Sequence, residues 1–131
     1  MLRLSVRSVP SEGGGASERR RPVDYDVGTV DAVLTQGRAV VEVGPNRLPV
    51  LVVRTRRGLF PADNRCPHRG IRLDDGAVRG TTITCAVHGY RFDLGTGSPK
   101  VGRTTRHSCA PLRVYPVRCE GRRLIVTLDE E

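Results

Sequence analysis

The chain has 131 residues, of which 37% are hydrophobic and 4% aromatic, and it contains no tryptophan. This length supports one domain with a modest aliphatic core and excludes a large multidomain enzyme. Fifteen glycines and nine prolines favour a turn-rich β protein over a helical one. The formal net charge is +8, which favours acidic partners.

The positive charge is carried by arginine, since Lys100 is the one lysine among the 22 basic residues. A basic surface can steer an acidic protein or bind nucleic acid without sequence preference. No helix-turn-helix pattern and no platform of interleaved aromatic and arginine residues accompanies this charge. We therefore expect no nucleic acid partner.

Residues 1–22 have no hydrophobic period and contain a glycine run at 13–15 and an arginine run at 19–21. This composition predicts a disordered basic tail, followed by a folded domain over residues 23–131. The tail lacks the apolar stretch of a secretory signal, and no stretch of the chain is apolar enough to span a membrane. We therefore expect a cytoplasmic protein with no membrane partner.

Beyond the tail, the first predicted element is a short helical turn within residues 31–37, with a capping-type start and a glycine stop. Turn residues then separate several short stretches that are typical of strands. These stretches are 39–43, 49–55, 58–62, 81–85, 90–94, 111–117 and 122–128, the last two forming a closing hairpin. Such a series predicts an all-β fold, a small antiparallel sandwich or barrel.

Two short loops each contain one cysteine and one histidine. The first has the pattern C-x-H and the second has C-x-x-H, and sixteen residues separate His68 from Cys85. Cysteine thiolate and neutral imidazole are both metal ligands, and four of them in two restrained loops favour a metal site. The candidate ligands are Cys66, His68, Cys85 and His88.

The division of these ligands between the loops indicates which metal they suit. A structural zinc site usually pairs cysteine with cysteine and histidine with histidine, whereas both loops here are mixed. Mixed loops suit a [2Fe-2S] cluster in which one iron takes both cysteines and the other takes both histidines. A zinc-stapled interaction module remains the alternative, and a disulfide framework or a Cys–His nucleophile would leave the two matched pairs unexplained.

Five further residues in these loops are candidates for supporting the cluster. Pro67 fixes its own φ, and Gly70 and Gly89 allow a close approach of the backbone. Arg69 and Tyr90 flank the histidines. These positions are expected to aim the ligands and to surround the metal site.

The two loops resemble those of the Rieske family, whose signature is C-x-H, a spacer of similar length and C-x-x-H. The resemblance covers about residues 28–128, and the flanking C-P-H-R-G and H-G-Y-R-F-D-L-G-T-G are similar to the bacterial ferredoxin and oxygenase branch. It implies stacked antiparallel sheets with one [2Fe-2S] cluster held by two loops at one tip. It also implies that His68 and His88 lie at the exposed edge of the cluster.

The resemblance further implies that the chain is not an enzyme on its own. Oxygenases of this family add a catalytic iron site of two histidines and a carboxylate, and His107, the one remaining histidine, cannot build it. The leading hypothesis is a ferredoxin that passes single electrons from a flavin-dependent reductase to a terminal oxygenase. The runner-up is a small subunit of a nitrite-reductase-like complex.

The resemblance also implies a low reduction potential. High-potential members of the family carry a serine directly after the second H-G, a tyrosine two residues later, and an extra cysteine in each loop. The corresponding residues here are Tyr90, Phe92, Ile71 and Val87. With fewer hydroxyl donors to the cluster sulfurs, we expect a potential near the low end of the Rieske range, about −150 mV.

Overall fold

The computed structural model of the chain describes residues 7–9, 21–67, 70–100 and 110–130. Within these residues, antiparallel strands form three sheets, and α1 (Val30–Val33) is the one helix. The strands are β1 (Arg7–Val9), β2 (Arg21–Thr29), β3 (Arg38–Val43), β4 (Leu48–Thr55), β5 (Gly58–Asp63), β6 (Ala77–Arg79), β7 (Thr82–Thr84), β8 (Arg91–Asp93), β9 (Pro99–Lys100), β10 (Val117–Glu120) and β11 (Arg123–Glu130). The all-β prediction is confirmed.

The sheet made of β3, β4 and β5, called here the central sheet, is the middle layer of the fold. Its successive residues face two different cores: Val41 and its partner Val50 face the first, and Val40 and its partner Leu51 face the second. A strand that is covered on both faces needs a continuous apolar run rather than an alternating one. The runs at 39–41 and 50–53 supply this.

The first core lies between the central sheet and an outer sheet with the strand order β1-β2-β11-β10. Leu124, Val126 and Leu128 of β11 point into this core, because alternate residues of a strand lie on the same face. Tyr25 and Val27 of β2 join them from the neighbouring strand. This core contains none of the candidate ligands.

The second core lies between the central sheet and a small sheet with the order β6-β7-β8-β9. We call this small sheet the loop-bearing sheet, because the second Cys–His loop joins β7 to β8. The second core includes Ile83, Phe92 and Leu73, all 0% exposed, together with Cys66 and Cys85. Both candidate cysteines therefore belong to one apolar layer.

The predicted helical turn is present, but it begins earlier than the sequence suggested. The hydroxyl Oγ1 of Thr29 accepts a hydrogen bond from the amide of Ala32 at 3.2 Å, so Thr29 is the N-cap. The chain then passes Gly37, whose φ is +83°, into β3. None of the described residues forms a helix long and apolar enough to cross a lipid bilayer.

Four strands were missed by the sequence-based prediction, namely β1, β2, β6 and β9. Residues 77–79 and 99–100 are too short to give an alternating signal, and they become strands through pairing with β7 and β8. β2 pairs along almost the whole of β11. β2 therefore begins at Arg21, two residues before the predicted start of the domain at residue 23.

The expected tail over residues 1–22 needs a correction where the structure describes it. Arg7–Val9 forms β1, paired with Asp24 to Asp26 at the edge of the outer sheet, and Arg21 and Pro22 begin β2. Main-chain pairing to an open sheet edge requires no apolar side-chain pattern, so the residues of β1 carry no signal that predicts it. Residues 1–6 and 10–20 lie outside the described residues, and for them the tail stays a prediction.

A close backbone contact joins Gly97, in the turn between β8 and β9, to Leu112. The amide of Leu112 donates a 2.8 Å hydrogen bond to the carbonyl of Gly97. A Cβ atom at Gly97 would stand 2.0 Å from the Leu112 carbonyl oxygen, and φ there is +81°, so this position requires glycine. Residues 101–109, with His107 and Cys109, lie outside the described residues.

Candidate metal centre

The two Cys–His loops are brought together by the packing of two sheets. Cys66 follows β5 of the central sheet, and Cys85 directly follows β7 of the loop-bearing sheet. Both cysteines are 1% exposed and lie in the second core. The apolar contact between the sheets therefore places two buried thiols at the same end of the fold.

The backbone of the two loops is built in the same way. The amide of each cysteine donates a 2.7 Å hydrogen bond to the carbonyl of the residue five positions later, Ile71 in the first loop and Tyr90 in the second. The carbonyl of each cysteine accepts from the glycine four positions later, Gly70 at 2.7 Å and Gly89 at 2.9 Å. Each cysteine is thus held by hydrogen bonds within its own turn.

The two glycines of these turns share one backbone conformation. Gly70 has φ of +70° and Gly89 has φ of +72°, in the left-handed region that glycine adopts at little cost. The histidine positions differ, because His68 is two residues after its cysteine and His88 is three after its own. One turn geometry therefore serves both ligand spacings.

Replacing Gly70 with alanine tests this conformational requirement. A Cβ at Gly70 would meet no heavy atom within 4 Å, so the cost is backbone strain alone. We expect a loss of about 1 kcal/mol, seen as a lower denaturant midpoint at unchanged slope. Gly70→Asn is the matched control, since asparagine tolerates this region better, and it should lose less. Equal losses for the two variants would contradict the strain account.

The other predicted site residues are placed as follows. His88 is exposed, and Pro67 and Tyr90 are half-buried. His68 and Arg69 lie outside the described residues. Among the residues that the structure does describe, no three His, Cys, Asp or Glu side chains converge as the ligands of a single ion. A two-iron cluster requires only two protein ligands for each iron.

A buried polar network beside the first loop was not predicted from the sequence. The side chain of Asn64 bridges two parts of the loop: its Oδ1 accepts from the amide of Leu73 at 2.9 Å, and its Nδ2 donates to Asp74 Oδ1 at 2.9 Å. Arg72 donates to the same carboxylate from Nε at 2.8 Å and also from Nη2. Residues 64 and 73–74 are thereby fixed on either side of Cys66.

Arg38 of the central sheet completes this network from a distance of 36 residues along the chain. Its Nη1 donates to the carbonyls of Asp74 at 3.0 Å and Gly76 at 2.6 Å. Gly76 in turn lies against the second loop, since a Cβ there would stand 2.4 Å from the carbonyl oxygen of Thr84. Thr84 directly precedes Cys85, so this segment links the supports of both cysteines.

The electrostatics of the network keep Asp74 ionised. Its side chain is 2% exposed, and the hydrogen bond from Arg72 lowers the pKa of Asp74 to about 2, with a smaller contribution from Asn64. Arg72 itself is exposed, and the pKa of its guanidinium is raised by the same contact. The carboxylate therefore stays charged across the physiological pH range.

Two half-buried polar residues, Asp63 and Tyr115, lie at the end of β5. Burial raises the pKa of Asp63, and burial together with the nearby Asp63 charge raises the pKa of Tyr115 to about 12. Within the described part of the chain, Asp63 Oδ1 and the Tyr115 hydroxyl are buried without a hydrogen-bond partner. The two residues lie on neighbouring segments, since Ala62 pairs with Val114.

Comparison with known proteins gives one family and a consistent set of relatives. Residues 23–116 match the Rieske [2Fe-2S] domain. The ferredoxin component of a naphthalene 1,2-dioxygenase system from Pseudomonas aeruginosa is 36% identical over 75 residues. That match covers 54% of this chain and 64% of the relative, so the chain spans a little under two thirds of that protein.

Two longer matches cover most of their counterparts. The ferredoxin subunit of an anthranilate 1,2-dioxygenase from Burkholderia cepacia is 31% identical over 94 residues, which is 72% of this chain and 82% of that protein. The structure of the ferredoxin of carbazole 1,9a-dioxygenase from Nocardioides aromaticivorans IC177 is similar with a TM-score of 0.62. It is 27% identical, and the match covers 77% of this chain and 95% of that one.

Proposed function

Because the chain belongs to the Rieske [2Fe-2S] domain family, we propose that it is a one-electron carrier and catalyses no reaction of its own. We place it between a flavin-dependent reductase, which supplies the electron, and a terminal oxygenase, which receives it. The relatives described above are ferredoxin components of dioxygenase systems, which favours this role over that of a nitrite-reductase-like subunit. We expect it to work in the cytoplasm.

The ligands in this proposal are Cys66 and Cys85 on one iron and His68 and His88 on the other. The observation that carries the assignment is the pair of matching turns, which hold two thiols at 1% exposure in one core. Thiolate sulfur is a ligand that iron–sulfur clusters require, and the donors present therefore fit one [2Fe-2S] cluster. When bound, the cluster takes up or releases one electron at a time.

The proposed site has a buried side, formed by the cysteines, and a solvent-exposed side, formed by His88. The cysteines and Phe92, at 0% exposure, exclude water from the core side. His88 is exposed and supplies the side at which an electron can leave. Electron transfer between two proteins requires their redox centres to lie close together, so an exposed histidine suits transfer to another protein. The buried cysteines anchor the site in the fold.

The experiment is a combined metal analysis and redox titration of the anaerobically purified protein. We expect a red-brown protein with about two irons and two acid-labile sulfides per chain, and a midpoint potential near −150 mV. The low value follows from the absence of a hydroxyl on Phe92, which stands where high-potential relatives have a tyrosine.

Two results would contradict the proposal. A colourless protein with one zinc per chain would support the zinc-stapled interaction module instead. A red-brown protein with a potential above about +100 mV would keep the cluster but place the chain among high-potential carriers.

A further inference from the structure

Two arginines of the outer sheet, Arg118 and Arg123, are neutralised by carboxylates of the same sheet. Arg118 lies 2.8 Å from a carboxylate oxygen of Asp24 and 2.8 Å from one of Glu120, and Arg123 pairs with Asp26. The pKa values of Asp24 and Asp26 are lowered, chiefly by hydrogen bonds from these arginines. These two arginines therefore add no uncompensated positive charge to the outer sheet.

The loop-bearing sheet presents its basic residues differently. Its strands bury Ile83 and Phe92 on one face and leave the opposite face to solvent. On that solvent face Arg91 pairs in register with Lys100. Arg79 lies on the same face, two strands away, and all three are exposed. We call Arg79, Arg91 and Lys100 the basic face.

The basic face lacks matching carboxylates. No ion pair joins Arg79 or Arg91 to a carboxylate of the described residues. Asp93 is the acidic residue in register on this face, and its pKa is lowered, first by the hydrogen bond from the amide of Gly95. Three cations against one carboxylate leave a net charge of +2 on the face.

The basic residues line one shallow depression. Its volume is about 310 Å³, and the side chains around it are small or basic. The lining residues are Ala77, Arg79, Thr82, Thr84, Arg91 and Lys100. A depression of this size, open to solvent and free of carboxylates in its lining, suits the projecting acidic side chains of another molecule.

The basic face adjoins the second Cys–His loop. Thr84 directly precedes Cys85, and Arg91 follows Tyr90, whose carbonyl accepts the hydrogen bond of the Cys85 amide. Val87, in the middle of the loop, is 59% exposed and is the one large hydrophobic residue of the described chain that stands so far in solvent. An apolar tip beside an uncompensated basic face is the arrangement of a protein-docking surface.

We propose that the basic face is the docking site of an acidic redox protein that exchanges electrons at the second loop. The proposal rests on the proposed function and adds the location and the charge of the partner's contact surface. One electron passes between the two proteins, and no bond or proton is exchanged. An acidic protein fits better than a nucleic acid, because no residue on this face is aromatic and able to stack on a base.

The test uses a defined acidic electron donor, a reduced plant-type ferredoxin with an acidic surface. Its potential lies below the Rieske range, so transfer to the oxidised protein is downhill. Stopped-flow rates are compared for the unaltered protein and Arg79→Glu/Arg91→Glu at 0.1 M and 0.5 M salt. We expect a loss of about tenfold or more at 0.1 M that shrinks to about twofold at 0.5 M, because salt screens the attraction.

A matched control is provided by the outer sheet, which the central sheet separates from the loop-bearing sheet. Arg21→Glu/Arg122→Glu makes the same change of net charge at two exposed residues, one in β2 and one in the turn before β11. Two steps of about 10 Å between packed sheets place the outer sheet roughly 20 Å from the basic face, about two screening lengths at 0.1 M salt. We expect this variant to change the rate by less than about twofold.

Equal slowing by the two double variants would show that net charge causes the effect, and it would overturn the proposal. An unchanged rate in both double variants would also overturn it. Duplex DNA binding at 0.1 M salt that is lost only in Arg79→Glu/Arg91→Glu would also overturn it and assign the face to nucleic acid. If Arg79→Glu/Arg91→Glu loses its visible absorption, the charge-neutral variant Arg79→Gln/Arg91→Gln is measured in its place. An unaltered protein without iron–sulfur absorption would defeat the proposed function itself, which is a separate outcome.

Discussion

We expect replacement of Cys85 with serine to abolish the iron–sulfur absorption of the purified protein. A serine hydroxyl is a hard, weakly acidic donor and does not replace a thiolate at an iron–sulfur cluster. Changes in the residues that merely support metal ligands cost ten- to a hundredfold in affinity, so loss of a ligand at 1% exposure should exceed about a hundredfold. Iron analysis and the visible spectrum after anaerobic purification measure the effect.

Cys119→Ser is the matched control for this variant. Cys119 is a free thiol in β10, exposed and far along the chain from both loops. Its replacement makes the same chemical change and should leave the iron content and the spectrum unchanged. Far-UV circular dichroism of both variants checks the fold, because the first core contains neither candidate cysteine.

Two outcomes would contradict the ligand assignment. An intact spectrum in Cys85→Ser would show that this thiol is not a ligand. Bleaching in Cys119→Ser would show that a thiol outside the two loops contributes to the site. Either result would remove the basis for placing both cysteines on one iron.

The candidate site could be predicted from the sequence because its information is local. Each turn is complete within six residues, from Cys66 to Ile71 and from Cys85 to Tyr90, and its glycine requirement shows directly in the sequence. The mixed spacing of C-x-H and C-x-x-H then predicts the donor set, and that assignment stays a prediction. A site of this kind can be predicted with little knowledge of the tertiary structure.

The support of the site could not be predicted, because it depends on contacts between distant residues. Arg38 reaches the carbonyls of Asp74 and Gly76 across 36 and 38 residues. Nothing in the local sequence around Arg38 distinguishes it from the other arginines of a basic chain. Asn64 and Asp74 likewise look like common turn residues in the sequence, and only the fold brings them into hydrogen-bonding contact.

The sheets show the same division between local and distant information. The stretches 39–43 and 49–55 were predicted as strands, and both are present as β3 and β4. β9 has two residues, and they form a strand because they pair with Arg91 and Phe92 at the edge of β8. β1 likewise depends on the open edge of β2. Strands that form by completing an existing sheet leave little trace in their own residues.

Asp74 offers the most sensitive test of the support of the first loop. In Asp74→Ala the amide of Asn64 loses its acceptor in a buried position, and the Leu73 contact that Asn64 also makes is weakened. Arg72 is 64% exposed and regains water, so the cost lies at the lower end for a broken buried pair, about 3 kcal/mol. We expect the visible absorption in a fixed concentration of guanidinium to decay between ten and a hundred times faster.

Asp75→Ala is the matched control, because Asp75 is the adjacent aspartate and is exposed. Its replacement should change the stability by less than about 0.5 kcal/mol. A similar acceleration of the decay in the two variants would show that loop charge matters and that the buried network does not.

The pH dependence of the Asp74 effect separates the ion pair from other causes. The pKa of Asp74 is about 2 in the folded protein, below its value of 3.8 for an unperturbed carboxyl. The stabilisation is therefore fully present above about pH 4 and is lost as the pH falls from there towards 2. The ratio of decay rates for Asp74→Ala and the unaltered protein should be the same at pH 6 and pH 8. A ratio that changed between those values would assign the effect to another group, because the Asp74 carboxylate is ionised at both.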